Sequence, residues 1–151
     1  MSHRHEAEFI SETLGGATFI HEDDRDAVEA KVGTVEAFRG RQVLGDDFEM
    51  IPTPGHTPGA SAYLWNSGGQ RVLFTGDTIY LSDEEWVAAV LESSDRQSYA
   101  ASLELIRELD FDVLVPWIAT RHQPCHAATN SADAHRRIDT ILERVKRGAD
   151  R

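Results

Sequence analysis

Two short segments of this chain combine residue types that hold divalent metal ions: Thr53-Pro54-Gly55-His56-Thr57-Pro58-Gly59 and Phe74-Thr75-Gly76-Asp77-Thr78. In the first, prolines and glycines fix the backbone on both sides of one histidine, which presents an imidazole in a set direction. In the second, a carboxylate follows an apolar run across a glycine. An imidazole nitrogen opposite a carboxylate oxygen makes a donor pair suited to zinc or a similar ion. Either segment alone reads as ordinary turn chemistry. The pair carries the signal.

Three apolar runs surround these loops, at residues 48–51, 61–65 and 72–75, and each reads as a strand. Glycine and proline clusters and the Asn66-Ser67-Gly68-Gly69 turn separate them. His56 follows the first run and Asp77 the third, so strand pairing should bring both side chains to one sheet edge. A helix is expected at about 96–109, with Tyr99, Leu103, Ile106 and Leu109 on one stripe. Val113-Leu114-Val115 reads as a strand stopped by Pro116. The last helix, 131–147, has Ser131 as its expected cap and buries Ile138, Ile141, Leu142 and Val145. Upstream, residues 6–14 suit a helix stopped by Gly15-Gly16, and 17–20 a short strand. Asp24 is placed to cap a further helix ending near Gly33. This alternation indicates a layered α/β class, read as a single domain over 1–151.

Charge narrows the function. With 15 Lys+Arg against 26 Asp+Glu, the net charge is −11, which disfavours nucleic acid and anionic membrane surfaces as partners. A 40% hydrophobic content supports a core. The single cysteine, Cys125, excludes an internal disulfide framework. The run from Trp86 to Leu91 is far shorter than a membrane helix needs, and the polar start MSHRHEAEF has no signal-peptide core. A cytoplasmic location is the expectation.

A TPGHTPG loop followed about twenty residues later by LFTGDT resembles the metallo-β-lactamase superfamily. The resemblance implies an αββα sandwich with a metal site at one edge between its sheets. By it, His56 matches the third histidine ligand and Asp77 the aspartate that bridges two metals. The family's HxHxDH cluster has its best match at His3-Arg4-His5-Glu6-Ala7-Glu8. His3 and His5 fall on the first two positions, while Ala7 and Glu8 depart from the pattern. The implied ligand set is therefore His3, His5, His56 and Asp77, holding one zinc. A second metal is disfavoured, because Ile118 of Pro116-Trp117-Ile118-Ala119 stands where a histidine ligand belongs.

His122, Cys125 and His126 leave two readings open: replacement ligands, or a polar loop with Cys125 small and buried. His21 and His135 read as surface histidines, and 79–86 as an acidic loop beside the site. Family members carry strands ahead of the ligand cluster, which here falls at the chain start. The expected sandwich thus lacks the usual N-terminal strands, and three readings stay open: a misassigned start, a homodimer that covers the open sheet, or a reduced domain. The implied function is hydrolysis of a small soluble substrate by a metal-activated water, mononuclear or metal-poor, with Asp77 orienting that water as a catalytic residue. The alternative is a non-catalytic binding or interaction domain with a decayed metal site.

Overall fold

A computed structural model of the chain describes residues 13, 15–32, 35–83, 85–117 and 124–149. The chain divides after Arg39 into two compact units, 1–39 and 40–151, where the sequence reads as a single domain. The helix expected at 6–14 lies outside the described residues apart from Thr13.

In the first unit, β1 (Phe19–His21) and β2 (Glu36–Phe38) pair in parallel. A parallel pair needs a crossover, supplied by a 3-10 turn (Glu22–Asp24) and α1 (Arg25–Val32). His21 corrects the expectation of a surface histidine, being only 7% exposed. Its ring meets Phe38 edge-on, with centroids 5.5 Å apart. Nε2–H donates to the Arg39 carbonyl at 2.9 Å, which leaves Nδ1 to accept the Asp23 N–H at 3.3 Å. His21 is extended and thus caps the helical stretch, the role expected of Asp24. Asp24 already lies inside the turn.

The second unit opens with a meander of β3 (Gln42–Leu44), β4 (Phe48–Pro52), β5 (Ser61–Asn66) and β6 (Arg71–Gly76). A hairpin of β7 (Tyr80–Ser82) and β8 (Glu85–Val87) follows where a loop was expected, with Asp83 in its turn at φ 56°. Then come α2 (Arg96–Arg107), β9 (Val113–Pro116), β10 (Ala127–Ala128) and α3 (Ser131–Arg147). The large sheet has the order β10-β9-β6-β5-β4-β3, and β6 and β9 are its parallel pair.

Register divides that sheet into two faces. Ile51, Ala62, Leu64, Leu73 and Leu114 share a fully buried cluster with Tyr99, Leu103, Ile106, Ile138 and Ile141 of the two helices. The other face carries Phe48, Trp65, Val72 and Val113 in one row and Met50, Tyr63, Phe74 and Val115 in the next. A sheet apolar on both faces is of the kind covered on both. Leu44 and Trp65, neighbours of Phe48 in its row, remain 43% and 40% exposed.

The cap of α3 is Asn130, not Ser131. Asn130 has extended backbone angles and its Oδ1 accepts the Asp133 N–H at 3.0 Å, while Ser131 is already helical. Asn130→Ala should therefore lower stability by about 1 kcal/mol in urea unfolding, and Ser131→Ala by only a few tenths. Equal losses would contradict this assignment. Among the described residues, no helix is long and apolar enough to cross a membrane.

Candidate metal centre

The loop between β4 and β5 is closed at its neck, where Thr53 N–H donates to the Ala60 carbonyl at 2.7 Å. Its next three carbonyls are all held by α2 or by the residues just before it. Ser102 Oγ donates to Pro54 O at 2.7 Å, Asp95 N to Gly55 O at 3.0 Å, and Ser94 Oγ to His56 O at 3.1 Å. Such contact requires glycine at position 55. Its φ is 141°, and a Cβ there would lie 2.4 Å from the Cα of Tyr99. The α2 end is itself capped by Asp95, which accepts from the Gln97 and Ser98 N–H groups at 3.3 and 3.2 Å and from the Ser98 hydroxyl. The bonds from Ser98 lead in holding the Asp95 carboxyl below the usual carboxylate range.

The imidazole is aimed by its second nitrogen. His56 Nδ1 lies 2.5 Å from the Ala89 carbonyl, and a carbonyl only accepts, so Nδ1 bears a proton. In the neutral ring the lone pair is then on Nε2, which lies 3.8 Å from Asp77 Oδ2. Asp77 stands just past the end of β6, where Gly76 takes φ 56°. Below it, Thr75 Oγ donates to the Ile79 carbonyl at 2.9 Å and Thr78 N–H to the Thr75 carbonyl at 3.1 Å. Trp117 N–H donates to Gly76 O at 3.1 Å, which ties the β9 exit to the same turn.

Beneath both loops lies Tyr99, fully buried. Its hydroxyl donates to Thr78 O at 2.6 Å and accepts the Ala89 N–H at 3.0 Å. Burial pushes this phenol well above its ordinary range, so it acts as a neutral hydrogen-bonding group.

The donor pair fits a divalent ion. Two donors bound at about 2.1 Å to a tetrahedral ion stand about 3.4 Å apart. The observed 3.8 Å separation lies near that value without closing into a direct hydrogen bond. Among the described residues, no group of three His, Cys, Asp or Glu side chains converges. His3 and His5, the other ligands the resemblance implies, lie outside the described residues, as do Ile118 and His122. Cys125 and His126 are exposed, with Sγ 3.5 Å from Nδ1. The reading of Cys125 as a small buried residue is thus corrected: it sits in the turn before β10, open to solvent. Sequence reasoning missed the contribution of Ala89, Ser94, Asp95 and Ser102 and placed Tyr99 only in a core stripe. An Asp-x-x-Ser helix start at 95–98 was the one local signal available.

The model of the metallo-beta-lactamase superfamily matches residues 1–116, and the chain belongs to that superfamily, which includes metal-dependent hydrolases. The uncharacterized protein ML0493 of Mycobacterium leprae (strain TN) is 28% identical over 168 residues, covering 95% of this chain and 72% of the relative. ST1585, an archaeal superfamily protein from Sulfolobus tokodaii, superposes with a TM-score of 0.58 at 15% identity. That match covers 89% of this chain, which spans 61% of the length of ST1585. TTHA1623, solved in a di-iron-bound form, superposes with a TM-score of 0.64 at 18% identity over 87% of this chain and 68% of its own. The fold is that of the metallo-β-lactamases.

Proposed function

We propose that the chain is a hydrolase of small soluble substrates that uses one divalent ion, zinc, held by His56 and Asp77 together with His3 and His5. The observation that carries this reading is the 3.8 Å approach of His56 Nε2 to Asp77 Oδ2 while Nδ1 is committed to a backbone carbonyl. When bound, the ion supplies Lewis acidity and a water acidic enough to give hydroxide near neutral pH. Asp77, with its side chain 40% exposed, would help hold the ion and orient the water beside it. His56, at 14% exposure, is held too rigidly to serve as a mobile base and acts as a donor. The net charge of −11 favours a small substrate over nucleic acid.

A second reading, a binding domain with a decayed site, draws on Trp117, which is 61% exposed immediately after β9. Metal removal separates the two. Protein purified without a histidine tag should carry about one metal per chain, and chelation should lower its Tm and abolish turnover of an ester or thioester panel. Less than about a tenth of an equivalent, with Tm unmoved by chelation, would favour the binding domain.

A further inference from the structure

We infer that Tyr99 is a positioning residue that couples the two halves of the donor pair through a single buried hydroxyl. A buried tyrosine needs a partner for its O–H, and most such partners are incidental to function. Here both partners are backbone groups next to the donors. The proton goes to Thr78 O at 2.6 Å, with Asp77 O at 3.4 Å beside it. The oxygen accepts Ala89 N–H at 3.0 Å, one peptide before the carbonyl that receives Nδ1–H of His56. Thr78 and Ala89 stand in irregular segments, where sheet and helix ladders leave such groups unpaired.

The consequence is chemical as well as structural. Which nitrogen of His56 carries the proton is decided by the Ala89 carbonyl, and the position of Ala89 is decided by Tyr99. The same oxygen fixes the turn that presents Asp77. Tyr99 also lies directly beneath Gly55, so one residue of α2 sets the height of the His56 loop through its backbone and the orientation of the ring through its side chain. Phenylalanine would fill the same volume and keep the packing while leaving Ala89 N–H and Thr78 O without their partner.

The test compares Tyr99→Phe with Ile106→Val, a buried α2 change two turns further along the helix that removes no hydrogen-bonding group. Metal-free protein labelled with nitrogen-15 at histidine is measured at a pH where imidazoles are neutral, with His56 assigned by its loss in His56→Ala. The parent should show His56 protonated at Nδ1 alone. Tyr99→Phe should show averaged ring shifts from two tautomers, and Ile106→Val should match the parent. An unchanged tautomer in Tyr99→Phe, or the same averaging in Ile106→Val, overturns the proposal. Should Tyr99→Phe fail to fold, 3-fluorotyrosine in place of tyrosine keeps the ring and alters the hydroxyl. The Ala89 amide resonance must then move, and an unmoved one overturns the coupling.

A second readout rests on the metal-donor reading above: zinc titration should give a Kd ten- to a hundredfold weaker in Tyr99→Phe. If the parent takes up no zinc, the metal reading fails while the tautomer result still decides the role of Tyr99.

Discussion

Gly55→Ala should destabilise the protein by about 4 kcal/mol, read as a shift of the urea midpoint at unchanged slope. Two penalties act together. A non-glycine residue at φ 141° carries backbone strain of about 1–3 kcal/mol. The new Cβ would also meet Tyr99 Cα at 2.4 Å, N at 2.6 Å and Cβ at 2.7 Å. Two of those atoms belong to the α2 backbone, so no rotamer change relieves the overlap, and the helix must retreat at about 1–3 kcal/mol. Gly69→Ala is the control, since nothing lies within 4 Å of a Cβ built there. It should stay within about 0.5 kcal/mol of the parent. A Gly55→Ala protein as stable as the Gly69→Ala protein would show that the loop does not rest on α2.

His56→Ala should weaken zinc binding by roughly a hundred- to a thousandfold while leaving the fold intact. Structural zinc sites bind with about 10–16 kcal/mol shared among four donors, or about 2.5–4 kcal/mol for each. The loop should survive the loss of the ring, because its clamps engage the carbonyls of Pro54, Gly55 and His56, all main-chain groups. Asp77→Asn should weaken zinc less, since an amide oxygen still offers a neutral ligand. Competition with a chromophoric chelator gives both constants. Zinc affinity equal in His56→Ala and the parent would remove this nitrogen from the metal site.

The site loops were legible because their chemistry is local. Pro54, Gly55, Pro58 and Gly59 fix a turn around His56 within seven residues, and the strands flanking them are short apolar runs bounded by turn residues. What aims the donors was not legible, because it comes from far along the chain. The Ala89 carbonyl lies 33 residues from His56, and the Ser102 hydroxyl 48 residues from Pro54. Tyr99 shows the limit of periodicity: it sits on the apolar stripe as expected, but the stripe says nothing about its hydroxyl. β3 escaped notice because Gln42, Val43 and Leu44 are all exposed and show no alternation. His21 read as a surface residue among acidic neighbours, and only its contacts with Phe38 and Arg39, past α1 in the chain, reveal it as buried. The α3 boundary slipped by one because Asn130 and Ser131 are both good caps, and only backbone angles separate them.

Three loop carbonyls fastened to residues 94–102 tie the donor pair to an opening equilibrium. Helix ends open more often than whole domains do, so the first turn of α2 can detach while the sheet remains paired. Each such opening releases the carbonyls of Gly55 and His56 together while Pro54 O stays on Ser102, and for its duration the loop holds the imidazole less firmly. Metal affinity is then the intrinsic affinity scaled by the fraction of molecules in which this turn is seated. The amide of Asp95, bonded to Gly55 O at 3.0 Å, reports that fraction directly, and its hydrogen-exchange rate should fall when zinc is added.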